Sequence, residues 1–404
     1  MMMFDLDTFI SQYITLRSNS MFQKDIDNNK KILEDKIENK SVLVIGGAGS
    51  IGSSFIKAVL HFKPSCLVVV DINENALAEL TRDIRSDSRY NVPKEYIPYP
   101  MNYASKSFEK MFRHHKGFNI VANFSAHKHV RSEKDIYSLE CLLNNNVIYA
   151  KKLLDLLSEF PPEEYFCVST DKAANPVNIM GASKRIMEDL IFSYSDIFPV
   201  KTARFANVAF SNGSLPEGFL HRINKLQPIS APYDIRRYFV SLEESGQICM
   251  LACMLGNNRE IFFPKLKKSQ MKSFDCIATD LLHESGYEII KCNSEQDAIY
   301  QSQKLREGSK KYPVYFSKTD TSGEKGYEEF YTKNETVDLE VFIALGTIKN
   351  KSIPSKIKID HLILNLTSLF EKEIYTKEAI INILADYLPN FVHQETGKNL
   401  DNKM

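Results

Sequence analysis

Between residues 41 and 208, short apolar runs alternate with longer stretches in which apolar residues return every three or four positions. The short runs lie near 41–46, 66–71, 95–100, 119–125, 165–170 and 201–208. They are rich in β-branched and aromatic residues and end in Gly, Pro, Asn or polar clusters, which predicts buried strands. The intervening stretches, near 50–62, 74–86, 105–115, 135–159, 178–197 and 217–226, carry a helical period. Strand and helix in strict alternation imply βαβ crossovers, and hence a parallel sheet covered on both faces. Ligands of such sheets bind beyond the carboxyl ends of the strands. The chemically loaded residues fall there: glycines after the first strand, Asp71 after the second, Ser125 to His129 after the fourth, Thr170 to Lys172 after the fifth, and Asn207 in the sixth.

Outside this block the pattern changes. Residues 1–40 read as a charged helical leader. Residues 209–242 are loop-rich and polar, residues 260–335 mix short strands and one helix near 273–285, and 209–335 together are expected to form a smaller α/β region interleaved with the first. Residues 336–404 read as a helical extension. Two amphipathic stretches there, IDHLILNLTSLFEKE and KEAIINILADYLPNF, should bury their apolar faces on the body or on another subunit.

Composition narrows the partners. Of 404 residues, 43% are hydrophobic and 25% charged, which suits a globular protein of one large or two coupled domains. Fifty-one basic residues balance 51 acidic ones, so a general attraction to nucleic acid is not expected. No apolar run approaches the roughly 18 residues of a membrane span, and the acidic start MMMFDLDTF is unlike a secretory signal. Seven cysteines, mostly inside apolar runs, fit reduced thiols in a cytoplasm. Cys249 and Cys253 stand one helical turn apart among Ile248, Met250, Leu251 and Met254, which is core packing; no metal site is expected.

The first strand runs directly into GGAGSIG. Gly46, Gly49 and Gly52 have the spacing that turns a backbone sharply beneath a pyrophosphate and seats it on the next helix. Gly46, Gly49, Ser50, Ile51 and Gly52 are therefore expected dinucleotide contacts. Ser125 and Ala126, after the fourth strand, border the same site. Asp71 ends the second strand about twenty residues on, where a carboxylate accepts from an adenosine ribose. It would repel a 2′-phosphate, and no arginine follows closely in DINENALAEL, so NAD is expected over NADP.

Residues 165–185, YFCVSTDKAANPVNIMGASKR, carry the densest signal. Taken alone they could be a charged loop after a buried strand; the glycine turn upstream argues otherwise. Thr170, Asp171 and Lys172 follow the fifth strand, and a helix then opens with Met180 and Lys184 one turn apart and on one face. A hydroxyl, a carboxylate and two ammonium groups are thus expected to converge.

GGAGSIG, SAHKHV, STDKAANPVNIMGASKR, RFANVAFSNGSLP and DIRRYF together resemble the extended short-chain dehydrogenase/reductases over residues 41–335. Within that family the chain is most similar to nucleotide-sugar 4,6-dehydratases of bacterial capsule, O-antigen and flagellin-glycan pathways, whose usual substrate is UDP-N-acetylglucosamine. The resemblance implies a Rossmann-type doubly wound domain with a tightly bound nicotinamide cofactor (NADP being possible beside NAD), a C-terminal nucleotide-sugar region, and a homo-oligomer. It implies Asp171 as the acid at sugar C6, Lys172 as the base at C5, Thr170 as a contact to the 4-oxygen, and Lys184 on the nicotinamide ribose. His127, Lys128, Asn207, Ser214, Arg236 and Arg237 become candidate substrate contacts. For His127 and His129 a polar loop role outweighs a catalytic one. Asn146, Tyr327, Glu328 and Glu329 are expected to hold the fold.

The chain also departs from the pattern. Met180 stands where most relatives carry the tyrosine that takes the 4-hydroxyl proton, and a thioether cannot do so. Asp171 or a water on Thr170 would then serve. Ile45, Ala206 and Thr321 replace a threonine, a glycine and an arginine. With no tyrosine to supply a second proton donor, retention of configuration at C5 is expected. A C4 epimerase and a catalytically silent dinucleotide-binding protein are the alternatives; the Asp171–Lys172 pair speaks against both.

Overall fold

The computed structural model describes residues 5–319, 328–349 and 352–393. Its core is a nine-stranded sheet. Six parallel strands run in the spatial order 3-2-1-4-5-6: β1 (Ser41–Ile45), β2 (Cys66–Asp71), β3 (Glu95–Pro100), β4 (Ile120–Asn123), β5 (Glu164–Thr170) and β6 (Val200–Phe205). Ile45 lies level with Val70 on one side and Asn123 on the other, and Thr170 lies level with Phe205. Carboxyl ends therefore line up along one edge. The order reverses between β1 and β4, which opens the crevice where doubly wound sheets bind ligands.

The helices predicted from the periodicity are present, Leu242–Leu255 and Glu295–Ser302 are helices beyond those expected, and one predicted helix differs informatively. The stretch expected as one helix near 135–159 is Ile136–Leu143, a π-turn Asn144–Ile148 and then Tyr149–Leu157. Single π-turns within helices often mark functional sites, and this one carries Asn145 and Asn146.

Beyond β6 the chain alternates between two layers. Strand Ile261–Pro264 returns to pair in parallel with β6. A three-stranded parallel sheet forms separately from Ile229–Pro232, Lys311–Ser317 and Glu288–Cys292, with helix Phe274–Glu284 packed on it. Its core, around Phe219, Ile229, Leu281 and Tyr312, also receives Phe9, Ile10 and Ile14 from the leader.

Residues 336–349 differ from the helical reading. Thr336–Asp338 and Leu345–Lys349 are antiparallel strands that complete the main sheet, Leu345–Lys349 pairing with Ile261–Pro264. Neither is long enough to show a period of its own. Their position comes from distant partners, including the buried Asp25 carboxylate, which accepts from the N–H groups of Ile343 (2.7 Å) and Ala344 (2.8 Å).

The two amphipathic stretches form helices Lys356–Phe370 and Lys377–Tyr387 and pack on the body of the same chain. Ile359, Leu362, Leu366, Ile380 and Leu384 join the main core. No helix among the described residues is long and apolar enough to cross a membrane.

Candidate active site

The glycine turn is built for close approach. Gly46 has φ +70°, and a Cβ there would lie 2.6 Å from the Ser125 backbone nitrogen. A Cβ on Gly52 would lie 2.3 Å from the Gly46 carbonyl oxygen. Helix Ser50–Leu60 then starts with Gly49 at its N-cap and no side-chain cap, so its first N–H groups are left to another acceptor. These features fit a dinucleotide phosphate. Asp71 braces the turn: Ala48 N–H donates to one of its oxygens (3.1 Å) and Asn73 N–H to the other (3.0 Å). Ile51 lies on the same first turn, partly buried.

The π-turn explains the loop after β4. Asn145 accepts from the Ser125 hydroxyl (3.2 Å), and Asn146 accepts from His127 N–H (2.9 Å) and donates to the His127 carbonyl (3.0 Å). The same Asn146 amide donates to Ser183 Oγ (3.0 Å) on helix Ile179–Phe192, so one buried residue joins the β4 loop to the helix after β5. Ala126 lies between these anchors, half-buried, and His127 to His129 reach the surface. Partial enclosure still lowers the pKa of His127 and of Lys128. Lys128 donates to the Asn212 carbonyl (2.8 Å), while Asn212 N–H donates to Ser50 Oγ (2.9 Å). The 211–214 loop thereby links the glycine turn to the β4 loop, and Ser214 caps helix Leu215–Asn224.

At the end of β5 three side chains interlock. The Thr170 hydroxyl donates to Asp171 Oδ1 (2.7 Å), and Lys172 Nζ donates to the same oxygen (3.2 Å). Asp171 is buried and Lys172 partly exposed. Gly181 lets the next helix close on this turn, since a Cβ there would meet the Lys172 carbonyl at 2.8 Å.

Lys184 does not enter the cluster. Its ammonium donates to the Val168 carbonyl (3.1 Å), two residues back along β5, and burial pulls its pKa down, an effect that the neighbouring Cys167 and Glu188 oppose. Met180 is buried, and its N–H donates to Glu133 (2.9 Å). Of the four polar groups expected together, the structure brings three into contact and sets the fourth against the strand backbone.

On the far wall, Glu328 accepts from Tyr238 N–H (2.9 Å) and from the Asn207 amide. It holds the fold, as expected, yet it also faces the acid–base pair. Burial, and then the charge of Asp171, push its carboxyl up to about 8 against the pull of Lys172. The only sequence signal for this was an acidic doublet far along the chain. Neighbouring Glu329 accepts from Asn175 (2.9 Å). Arg237 is buried with Arg236 exposed beside it, on a two-residue strand paired with Lys272–Ser273. Thr321 and Tyr327 lie outside the described residues.

Residues 42–335 match the family described as polysaccharide biosynthesis protein. An uncharacterized membrane protein of Methanocaldococcus jannaschii is 30% identical over 66% of this chain and 77% of its own length. The probable polysaccharide biosynthesis protein EpsC of Bacillus subtilis is 29% identical over 71% of this chain but 47% of its own, so the chain spans about half of that relative. A UDP-N-acetylglucosamine 4,6-dehydratase (inverting) of Campylobacter jejuni is 27% identical over 61% of this chain and 73% of its own. A UDP-glucose 4-epimerase of Rickettsia bellii is 29% identical over 58% and 68%. Among solved structures, Pen from Bacillus thuringiensis aligns with a TM-score of 0.62 at 21% identity, covering 82% of this chain and 98% of that one, a likeness of fold.

Glu328 sets a pH dependence. Between the ordinary carboxyl range and about pH 8 the folded chain keeps a proton that the unfolded chain has lost. Stability must therefore fall as pH rises through that window. Urea unfolding at pH 5.5 and 8.5 should show the decline, and Glu328→Gln should flatten it. An equal slope in the variant would remove Glu328 as the source.

Proposed function

The chain belongs to the polysaccharide biosynthesis protein family of extended short-chain dehydrogenase/reductases, and from that premise we propose that it is an NAD-dependent 4,6-dehydratase. Its substrate would be UDP-N-acetylglucosamine, its product the UDP-4-keto-6-deoxy sugar and water, and its place the cytoplasm, as a homo-oligomer. The interlocked Thr170, Asp171 and Lys172 carry this reading.

The nicotinamide would supply the redox chemistry, taking hydride from C4 and returning it at C6. The chain supplies the proton chemistry between those events. A 4-ketone acidifies the C5 proton, so elimination needs a base at C5 and an acid at the departing C6 hydroxyl. One proton moved from Lys172 Nζ to Asp171 Oδ1, across 3.2 Å, converts the ion pair into a neutral amine and a carboxylic acid. That is the pair the elimination requires. Thr170 would hold the 4-oxygen, and a water on Thr170 would take the 4-hydroxyl proton that Met180 cannot; were Asp171 to take it instead, that proton would be the one delivered at C6, and Lys172 would pass its own to solvent before acting at C5. Lys184 would serve the nicotinamide ribose by leaving the Val168 carbonyl. A C4 epimerase has no use for acid and base at C5 and C6. The candidate sugar-nucleotide contacts remain His127, Lys128, Asn207, Ser214, Arg236 and Arg237.

Incubation with UDP-N-acetylglucosamine should yield the 4-keto-6-deoxy product, carrying deuterium at C5 when run in D₂O. A C4 epimer or no product would sink the proposal. Lys172→Ala and Asp171→Asn should each lower turnover about 10²–10⁴-fold, the usual contribution of a positioned acid or base.

Dinucleotide released from the purified protein should be mostly NAD, because Asp71 disfavours a 2′-phosphate; mostly NADP would overturn this.

The product should keep its C5 configuration, unlike that of the Campylobacter jejuni relatives, which are named as inverting. If Lys172 removes the C5 proton and stays the nearest acid, it returns a proton to the same face. Met180 has none to deliver from the other. A nuclear Overhauser contact between H3 and H5 of the product checks this, since those protons share a face only on retention; contacts of the L-arabino isomer would refute it.

A further inference from the structure

Glu133 sits on the short 3₁₀ turn Val130–Lys134, directly after the His127–His129 loop, and its carboxylate is divided between two distant parts of the chain. Oε1 accepts from Met180 N–H (2.9 Å), at the first turn of the helix that also carries Lys184. Oε2 meets His393 Nε2 at 3.1 Å, near the end of the described chain, with both side chains almost fully buried. Met180 can only donate to the carboxylate, and the carboxylate fixes the imidazole the same way, with Nε2 carrying the proton. Lys377 Nζ adds a bond to the Glu133 carbonyl (3.3 Å).

The segment that brings His393 and Lys377 here is docked along its length. Tyr375 donates to Glu140 (2.6 Å), Asp360 pairs with Lys151 (3.6 Å), and Lys356 stands 4.4 Å from the Tyr194 ring centre. All of it lies beyond residue 335, where the family match ends.

We propose that Glu133 is a positioning residue and that the C-terminal segment, through His393, is a strap that sets the first turn of the site helix and with it Met180 and Lys184. A buried carboxylate that loses one hydrogen-bonded partner turns toward the other or admits water, and either shift moves the Met180 backbone. A displacement of 1 Å at a reacting centre costs about 100-fold in rate, so a residue remote from the chemistry can control it. The kinetic consequence rests on the dehydratase reading; the structural one does not.

The test uses the full chain and four variants: His393→Ala, His393→Gln, Glu133→Ala and Glu133→Gln. Glutamine at 393 keeps an N–H for Glu133, and glutamine at 133 keeps an oxygen for Met180. Amide hydrogen exchange of the peptide containing Met180 should quicken about tenfold in both alanine variants, the scale of one lost hydrogen bond to a charged group. Turnover on UDP-N-acetylglucosamine should fall on the order of tenfold or more with KM little changed, and both glutamine variants should recover most of each effect. Wild-type exchange and turnover in His393→Ala would overturn the strap, as would a kcat loss that glutamine does not repair. If an alanine variant fails to fold, the glutamine variant at that position decides by the same two readouts. Should the wild type lack dehydratase activity while His393→Ala still exposes Met180, the strap stands and the functional reading falls.

Discussion

Arg204 is the residue around which the site is assembled. It is fully buried on β6, and every one of its five N–H donors is occupied: two by Glu188, two by Glu335 and one by the Phe330 carbonyl. A buried guanidinium is tolerable only when so completely paired, and removal of one partner of such a group typically costs about 3–5 kcal/mol. Its geometry therefore ties three separate pieces of chain together. Glu188 belongs to helix Ile179–Phe192 and also accepts from Ser169 (2.7 Å), next to Thr170. Phe330 and Glu335 belong to the segment that delivers Glu328. The sheet supplies the platform, and this ion network sets the helix and the far wall on it.

Around that network the polar residues divide by how local their partners are. Thr170, Asp171 and Lys172 satisfy one another within three consecutive positions. Asn145 and Asn146 do so across the crevice, and only because the π-turn aims them at the β4 loop. Buried amides left without partners would be costly, which is why the distortion and the loop belong together. Glu328 has the least local environment of all: its carboxyl bonds to Asn207, which lies past the end of β6 on the short strand Asn207–Val208 rather than in the sixth strand itself, and to Tyr238, while feeling the Asp171 charge from the opposite side.

The ends of the chain act on the same centre from outside the sheet. Arg17 of the leader forms a salt bridge with Glu244 (2.7 Å), at the start of the helix packed against Ser50–Leu60. The C-terminal helices cover the helices after β4 and β5.

The alternation of strands and helices, the glycine turn and the acid–base adjacency were all legible in the sequence, because each is a property of neighbouring residues: a period, a spacing, a pair. The position of the crevice followed from the same reasoning, since parallel strands must carry their loops at one edge. What the sequence left open depends on partners far along the chain. Residues 336–349 are strands because Ile261–Pro264 offers them an edge, not because of their own pattern. The tail helices bury apolar residues on the body of their own chain, a docking place that two amphipathic faces alone leave undetermined. Lys184 turns to the Val168 carbonyl although helical spacing puts it on the same face as Met180, because a buried ammonium takes the nearest acceptor. Glu133, Glu328 and His393 acquire their roles only by convergence. Local sequence encodes direction and chemistry; burial and the pairing of distant charges are decided only when the chain is packed.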